Sequence, residues 1–447
     1  MRKVLFIAYY YPPLGGAGVP RTLKFVKYLP KFGWQPIVLT PAKGASSIVW
    51  DAGDEVGDED HVVRTGYHDV FGPVRRVLRM NRRAGNDPSK GGVDGTVKRP
   101  HFLGQGIQPW LTRFVNEYIA FPDARIGWYP FGVREGLRTI KTQGVSVIYS
   151  TSPPETSHLI AHRLKEKTGI PWVADFRDLW TYNPAYEKAK IKLFLDERLE
   201  KRTLRNVDAV VTVSEPWVNI VSMLHNLGGK NVYMITNGFD PEDYAMDCSP
   251  TGQKMIVTYT GVIYTPGRDP EMFLRVVSEL IKTGQVAPDS IEVRFYGSDF
   301  TRIDDLRRHY GIEGSVKVFG NVPFKESIQA QLTSHVLLML DWERPDARGA
   351  SKGIVAGKIF EYLGARRPIL SLSPHRGAVT ELLEKTNAGV AVSNDGEIKE
   401  TLLRWYDEFM KTGSIHFCGI ESEILRHTRE KKTKQLAEAL ETVYHSH

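Results

Sequence analysis

Short apolar runs alternate with longer amphipathic stretches along most of this chain. The first run, Val4 to Ala8, is continuous, which is typical of a parallel-sheet strand buried on both faces. A stretch from about Val19 to Lys31 places apolar residues near one helical face, so it predicts a helix. A second apolar run at 36–40 predicts the next strand. This strand–helix–strand order is the opening of a Rossmann-like domain.

The same alternation returns in two later series. The first predicts strands at 145–149, 171–175, 209–213 and 232–235, helices at 130–142, 155–168 and 188–204, and a further helix capped by Ser214. The second predicts strands at 255–259, 292–296, 316–319 and 336–340, and helices at 270–283, 395–411 and 420–444. Between 44 and about 106 the pattern is weak, and another helical stretch follows near 110–119. A chain of 447 residues exceeds one ordinary core, so two α/β domains are expected.

The richest single segment for chemistry is Gly353 to Leu370. It predicts a turn, a helix that carries Lys358 and Glu361, and a buried strand opened by Pro368. Glycine lets a backbone approach a ligand closely, and a helix N-terminus favours anions. Lys358 adds a positive charge there, and Glu361 on the same helical face could accept hydrogen bonds from sugar hydroxyls. The segment therefore predicts a site for a diphosphate and a ribose.

Two further loops follow predicted strands in the first half of the chain. The glycine loop at 15–18, with Arg21 on the following helical turn, is either an anion site or an ordinary connection. It lacks the glycine spacing and the acidic residue of a dinucleotide site, so a nicotinamide cofactor is not predicted. The second loop carries Asp175, Arg177 and Asp178 at the carboxyl end of a strand, where α/β proteins bind ligands. Its alternative interpretation is a helix cap or a local ion pair.

Together these segments resemble the family 4 glycosyltransferases, which have two Rossmann-like domains facing across a cleft in the GT-B arrangement. In that family two glutamates are separated by seven residues; Glu361 matches the second, and Gly353 occupies the place of the first. The segment 171–180 resembles a subset of bacterial polysaccharide glycosyltransferases. The resemblance implies a retaining sugar transferase and three domain assignments: 1–243 on the acceptor side with an irregular basic insertion at about 44–140, 254–420 on the donor side, and a terminal helix at 421–447 that packs back on the first domain.

The resemblance also implies roles for individual residues. Asp178 is the predicted catalytic residue, the polar group near the reacting sugar, with Arg177 and Asp175 as alternatives. Arg21 and Arg177 are predicted on the acceptor side. The residues predicted to bind the donor are Gly16, Arg268, Gly353, Lys358 and Glu361. The nucleotide sugar is a co-substrate, and neither a cofactor nor a metal is predicted. The acidic triplet at 58–60 has the spacing of a metal site but no supporting strand, so it is interpreted as chance.

Composition limits the compartment and the partners. Two cysteines give no disulfide framework, and no apolar run approaches the roughly 20 residues needed to span a bilayer, so a cytoplasmic enzyme is expected. The net charge is +7, and part of it lies in a basic stretch at 75–99. That stretch is either a solvated loop or a surface for anionic lipid or a lipid-linked diphosphate at the inner face of the membrane. No nucleic-acid module accompanies the charge, so nucleic acid is not an expected partner.

The expected partners are therefore a nucleotide-diphosphate sugar and a saccharide or lipid-linked acceptor in surface polysaccharide or glycolipid assembly. Two other functions remain open at the level of sequence. One is a sugar-nucleotide epimerase of the same architecture. The other is an inactive sugar-nucleotide binding protein, because Gly353 and Val262 stand where polar residues are usual in the family.

Overall fold

The computed structural model describes residues 1–15, 18–42, 59–70, 121–185, 188–225, 231–263, 267–297, 300–342, 344, 346 and 349–447. Three sequence predictions lie outside these ranges: the helix near 110–119, the basic stretch at 75–99, and the donor contact of Gly16. Everything below concerns the described residues.

A parallel sheet of seven strands forms the first half, in the order β3-β2-β1-β4-β5-β6-β7. Its strands are β1 Arg2–Ile7, β2 Trp34–Pro41, β3 Val62–Thr65, β4 Val147–Ser152, β5 Trp172–Phe176, β6 Ala209–Thr212 and β7 Val232–Met234. The helices between them are α1 Val19–Tyr28, α2 Tyr129–Gln143, α3 Thr156–Thr168, α4 Lys190–Leu204 and α5 Glu215–His225. This strand order is that of a doubly wound Rossmann sheet.

A second parallel sheet of six strands repeats that order, as β10-β9-β8-β11-β12-β13. Its strands are β8 Met255–Thr260, β9 Ile291–Tyr296, β10 Val316–Gly320, β11 Val336–Leu340, β12 Ile369–Leu372 and β13 Gly389–Val392. Its helices are α6 Glu271–Lys282, α7 Thr301–Tyr310, α8 Phe324–Leu332, α9 Lys358–Ala365, α10 Ala378–Thr386 and α11 Asp395–Thr412. The predicted α/β fold with two Rossmann-like units is confirmed.

The central strands are apolar because helices cover both faces of each sheet. In β1, the side chains from Val4 to Ile7 are fully buried, and Leu5 pairs in register with Ile37 on one side and Ile148 on the other. All of β11 is buried in the same way. Continuous apolar runs in the sequence therefore mark the middle of each sheet, as the pattern predicts.

The chain passes between the two halves twice. The first passage, at Phe239, forms a parallel β-bridge with Thr428, which lies on the second passage. Near the second passage, a short helix α12 at Glu421–Ile424 is followed by a 3-10 turn and then by helix α13 at Arg429–His445. The single helix predicted at 420–444 is therefore wrong, because Thr428 is extended and its hydroxyl caps the new helix at the amide of Lys431. From α13, Leu436, Leu440 and Val443 then join the core of the first sheet.

Other differences from the predicted elements are local. Strand β4 begins at Val147 and extends through Ser152, so it starts and ends later than the predicted 145–149. Strand β3 at 62–65 lies in the region where the hydrophobic pattern is weak. Four further elements, α7, α8, α10 and β13, are absent from the sequence prediction. The domain boundaries predicted above stay predictions.

Candidate active site

The candidate site lies where the carboxyl ends of strands from both sheets meet. In each sheet the strand order reverses between two central strands, β1 and β4 in the first and β8 and β11 in the second. α/β proteins bind ligands outside the carboxyl ends of strands at such a point. The loops and the first turns of the helices at this point carry the residues that the sequence singles out. Gly16 lies outside the described ranges.

Direct contacts join the two domains beside this point. The Ser214 hydroxyl donates to the carbonyl of Gly353 at 2.7 Å, and the Trp217 indole donates to the carbonyl of Ala350 at 2.8 Å. A Cβ on Gly353 would lie 2.3 Å from the Trp217 ring and 2.7 Å from the Ser214 hydroxyl oxygen. Only glycine fits there without a shift of those side chains. The residue in the place of the family's first glutamate is therefore a packing contact between domains.

Lys358 opens α9 under the end of β8. Its Nζ donates to the Tyr259 hydroxyl at 2.6 Å and lies 3.8 Å from the centre of that ring. Gly261 allows this approach, because its φ is +123° and a Cβ there would lie 2.5 Å from the same Nζ. Burial lowers the pKa of Lys358 well below its usual value, and the charge of Arg268 lowers it further. The site thus holds a lysine whose ammonium form is disfavoured.

Arg268 links the groups of the site electrostatically. It is 8% exposed, and its guanidinium lies 6.0 Å from the centre of the Trp342 ring. Its charge lowers the pKa of Lys358 and partly offsets the rise that burial causes in the pKa of Asp341 and of Asp178. Asp178 belongs to the first domain and the other groups belong to the second. The structure therefore brings Asp178, Arg268 and Lys358 into one electrostatic neighbourhood across the cleft.

Asp341 directly follows strand β11 and lies close enough to Arg268 to feel its charge. One carboxylate oxygen accepts the backbone N–H of Trp342 at 2.8 Å, and the other accepts the Ser373 hydroxyl at 3.4 Å. Burial raises the pKa of Asp341 to about 6, against the lowering effect of these bonds and of Arg268. Its carboxyl thus titrates near neutral pH.

Glu361 lies one helical turn beyond Lys358 and faces a separate set of polar groups. The amide of Gln331 on α8 donates to its carboxylate at 3.4 Å. Burial raises the pKa of Glu361, and the charges of Arg429 and Lys358 counteract that rise. Arg429 opens α13, is 9% exposed, and donates to the Asn237 side chain at 3.4 Å. Sequence reasoning missed Arg429 and Gln331, because no local motif places either of them beside the helix of Glu361.

The first domain supplies a buried ion pair at the end of β5. Arg21 donates two hydrogen bonds to the Asp175 carboxylate, at 2.9 and 2.8 Å, and one to the carbonyl of Thr236 at 3.0 Å. Tyr149 and Thr151 also donate to Asp175, at 2.6 and 3.0 Å. The side chain of Arg21 is 1% exposed and that of Asp175 is fully buried. The guanidinium of Arg21 is thus buried in a structural ion pair, and its predicted contact with the acceptor stays a prediction.

Arg177 and Asp178 follow the same strand and lie nearer the surface. Arg177 donates to the Thr151 hydroxyl at 3.0 Å and to the carbonyl of Pro153 at 2.7 Å. Its guanidinium packs against Gly18, where a Cβ would lie 1.9 Å from Nη1. Burial raises the pKa of the Asp178 carboxyl, and the charge of Arg177 opposes the rise more strongly than that of Arg268. Arg177 is thus fixed beside the glycine loop, with Asp178 at the cleft.

The described ranges contain neither a membrane-spanning helix nor a cluster of metal-binding side chains. None of their helices is long and apolar enough to cross a membrane. They contain no group of three or more His, Cys, Asp and Glu side chains that could hold a metal ion. Of the acidic triplet predicted to be a chance match, residue 58 lies outside the described ranges.

Comparisons with known proteins place this architecture. A family model described as "Glycosyl transferase 4-like domain" matches residues 15–238, about half of the chain. Comparison of the sequence with curated proteins gives no significant match.

Solved structures share the fold over the full length of the chain. A glycosyltransferase from Rickettsia africae is similar with a TM-score of 0.53 at 12% identity, covering 100% of this chain and 96% of that one. HepE of Anabaena in complex with UDP gives 0.53 at 12% identity, with 100% and 98% covered. TarM of S. aureus, in complex with Fondaparinux, alpha-GlcNAc-glycerol and UDP, gives 0.56 at 10% identity, with 100% and 99% covered.

At these identities the structural likeness establishes the fold, while the family model establishes descent. The two parallel sheets of seven and six strands correspond to the two domains of the GT-B arrangement, as the sequence predicts. The chain therefore belongs to the glycosyl transferase 4-like family and is a GT-B glycosyltransferase.

Proposed function

We propose that this enzyme moves a sugar from a nucleoside diphosphate sugar to an acceptor in surface polysaccharide or glycolipid assembly. The proposal includes retention at the anomeric carbon, no metal, and no cofactor beyond the donor. One observation carries it: Arg268 and Lys358 of the second domain share an electrostatic neighbourhood with Asp178 of the first. That arrangement suits a reaction whose leaving group is an anion in one domain and whose reacting sugar faces the other.

The two cations are assigned to the leaving diphosphate. Negative charge builds on that group as the sugar departs, and fixed cations in a partly buried site stabilise it strongly. Arg268 can hold phosphate oxygens in a bidentate manner, and Lys358 sits at a helix N-terminus that itself favours anions. HepE of Anabaena and TarM of S. aureus were both solved with UDP, which supports a nucleoside diphosphate here.

Glu361 is assigned to the ribose of the donor. Its carboxylate accepts from Gln331, and the charges of Arg429 and Lys358 counteract the rise in its pKa that burial causes. In the ionised form it can accept hydrogen bonds from two hydroxyls. Glu361→Ala should weaken binding of a matching nucleoside diphosphate by about tenfold to a hundredfold, since hydrogen bonds to charged groups contribute about 1.5–3 kcal/mol. Glu384→Ala, at an exposed carboxylate on α10, is the matched control in calorimetry. Unchanged affinity in the Glu361 variant would remove this assignment.

Asp178 is assigned to the reacting sugar. An ionised carboxylate there would stabilise positive charge that develops at the anomeric carbon, and the donor phosphate itself could take the acceptor's proton. Asp178→Asn should lower the transfer rate by about a hundredfold while nucleotide affinity stays near that of the wild type. Asp289→Asn, at an exposed carboxylate of the second domain, is the control. A wild-type rate in the Asp178 variant would exclude it from the mechanism.

The deciding experiment is a donor screen followed by turnover. Thermal shift against the common nucleoside diphosphates identifies the base, and the matching nucleotide sugars are then incubated with candidate saccharide and lipid-linked acceptors. We expect transfer with the donor's anomeric configuration kept, read by NMR of the product, and the same rate in excess EDTA. Epimerised donor without any acceptor, or tight binding of every donor without turnover, would contradict the proposal.

The proposed setting is the cytoplasmic side of the cell membrane. The basic stretch at 75–99 motivates this in the sequence, although it lies outside the described residues. A lipid-linked acceptor would bring the enzyme to that surface. Cell fractionation should then recover part of the enzyme with the membranes, released by high salt.

A further inference from the structure

The outward face of α4 has an unusual composition. Exposed Ile191, Phe194 and Leu195 follow one another at helical spacing, and their residues are 54%, 54% and 37% exposed. The other exposed residues of the helix and its C-terminal end up to 205 are all cationic: Lys190, Arg198, Lys201, Arg202 and Arg205. We call these eight residues the α4 face. It combines three large apolar side chains with five positive charges and carries no carboxylate.

The acidic residues of α4 point inward. Asp196 is fully buried and pairs with Lys188 at 2.8 Å. Glu200 is 4% exposed and accepts from Thr181 and His225. Glu197 accepts from the hydroxyl of Tyr182.

A surface helix of a globular protein ordinarily buries its apolar residues and exposes its charges. In α4 the buried carboxylates face the protein together with Leu199 and Leu204, which pack in the core of the first domain. These inward residues account for the packing of the helix against the domain. The exposed Ile191, Phe194 and Leu195 take no part in that core.

The α4 face lies at the same edge of the sheet as the candidate site. Helix α4 crosses from β5 to β6, so it starts where β5 ends and runs back along the sheet. Asp178 lies in the loop that joins β5 to α4, and Lys188 in that loop donates to the carbonyl of Trp180. The apolar residues occupy the first half of the helix, which is the half nearer to this loop.

We propose that the α4 face docks on an anionic lipid bilayer. Apolar side chains flanked by cations on one helical face are what an interfacial helix presents to the headgroup and acyl boundary. Anionic headgroups complement the five cations. Docking in this orientation places the edge that holds Asp178 next to the membrane, where a lipid-linked acceptor would arrive. That last consequence rests on the proposed function, whereas the docking itself does not.

Charge argues against a second copy of the chain as the occupant. A two-fold symmetric contact sets the same patch against itself, so the five cations of one copy would face those of the other. Repulsion between like charges in such a contact is costly. A bilayer supplies the opposite charge and the apolar interior together.

Vesicle sedimentation of the full chain tests the proposal. The vesicles are phosphatidylcholine with phosphatidylglycerol, compared with phosphatidylcholine alone. Removing the apolar residues in Ile191→Ser/Phe194→Ser/Leu195→Ser should lower binding to anionic vesicles by at least about tenfold. The matched control is Met410→Ser/Ile420→Ser, which changes exposed apolar residues of the second domain.

A second variant tests the charges. Lys190→Gln/Arg198→Gln/Lys201→Gln should lower binding by about one hundredfold, because each cation near an anionic surface contributes about a fivefold factor. The control replaces three exposed lysines elsewhere, Lys325→Gln/Lys411→Gln/Lys434→Gln. Melting temperatures and transfer to a water-soluble acceptor should stay at wild-type values in both α4 variants. Hydrogen exchange at 190–199 should slow when anionic vesicles are added.

Several results would overturn the inference. They are wild-type vesicle binding in both α4 variants, equal binding to neutral and anionic vesicles, or self-association in sedimentation velocity that the apolar variant abolishes. The readouts also separate this inference from the proposed function. Anionic-vesicle binding that depends on α4, without sugar transfer, contradicts only the function. Transfer without vesicle binding contradicts only the docking.

Discussion

The carboxyl ends of the strands of the two sheets meet at the site, and we call them the first and the second edge. Their cations have different surroundings. At the first edge, Arg21 is fully engaged by Asp175 and the carbonyl of Thr236, and both members of the ion pair are buried. At the second edge, burial lowers the pKa of Lys358, and the like charge of Arg268 lowers it further. Glu361 counteracts this fall but contributes least among the causes. The arginine of the first edge is paired within the fold, whereas the cations of the second edge are those that the proposed function assigns to the leaving diphosphate.

This difference separates structure from function better than residue type does. Both edges carry an arginine near a strand end, and both arginines are almost inaccessible to solvent. What distinguishes them is the balance of surrounding charge. Arg21, with its bidentate carboxylate, is a buried structural ion pair, while Arg268 beside the buried Lys358 is the pair that the proposed function assigns to phosphate.

The largest expected effect on stability comes from breaking the buried ion pair between Arg21 and Asp175 at the first edge. Asp175→Asn should lower the free energy of unfolding of the first domain by about 3–5 kcal/mol, because it leaves the charge of Arg21 buried without its partner. Urea denaturation followed by circular dichroism measures this. The control Asp395→Asn breaks the exposed pair with Arg275 and should cost about 1 kcal/mol or less. A loss in Asp175→Asn as small as in that control would show that the first edge is not a structural pair.

Removing the lysine of the second edge should lower the transfer rate strongly without lowering stability. Lys358→Met should lower the transfer rate by about a hundredfold to a thousandfold, as expected when a group that stabilises transition-state charge is removed. The ligand-free variant should melt at the same temperature as the wild type or higher, because the repulsion with Arg268 is gone. Kinetics and differential scanning calorimetry of the same preparation test both halves. A marked fall in melting temperature would mean that Lys358 serves the fold.

The pH dependence of nucleotide binding tests whether Lys358 at the second edge contacts the diphosphate. In the ligand-free enzyme the pKa of Lys358 is lowered by burial and by Arg268, and a bound diphosphate would raise it again. The complex then holds more protons than the free enzyme between those two pKa values, so affinity should fall as pH rises through that window. The expected slope is at most about tenfold per pH unit.

Calorimetry in buffers of different ionisation enthalpy measures this proton uptake directly. Asp341, with a pKa of about 6, would take up protons near that pH. Lys358→Met should therefore lower the total proton uptake and keep only the part that Asp341 supplies near pH 6. Uptake as large as that of the wild type at every pH would contradict the assignment to Lys358.

Sequence reasoning succeeded where the evidence is local along the chain. Apolar runs predicted the central strands, and the spacing of Lys358 and Glu361 placed them on one helix, as the structure has it. Each of these inferences depends only on neighbours within one or two elements.

The residues that were missed depend on contacts made late in the chain. Arg429 reaches the neighbourhood of Glu361 because the chain returns at Thr428, and that return is a tertiary contact with Phe239. The orientation of α4 was also beyond pattern reasoning. Its helix was predicted, but its carboxylates are buried because partners such as His225 come from other elements. Hydrophobic periodicity alone cannot indicate such partners.

The smallest expected effect concerns Gly353, which lies between the two edges. If its main role is packing, Gly353→Ala should displace the Trp217 ring, which lies 2.3 Å from the added Cβ, at a cost of about 1–3 kcal/mol to the contact between domains. Transfer should fall several-fold while affinity for the nucleoside diphosphate changes little. Gly314→Ala is the control, because an added Cβ there meets no atom within 4 Å.

Gly353→Glu, which restores the family's pair of glutamates, separates packing from a missing catalytic group. A glutamate at 353 would meet Trp217 and Ser214 before it could reach the donor, so we expect lower activity than in Gly353→Ala. Higher activity than the wild type would mean that the domains separate enough to admit the side chain, and that the second edge lacks a carboxylate which the sugar requires. In that case the electrostatic account of the second edge would apply to the diphosphate alone.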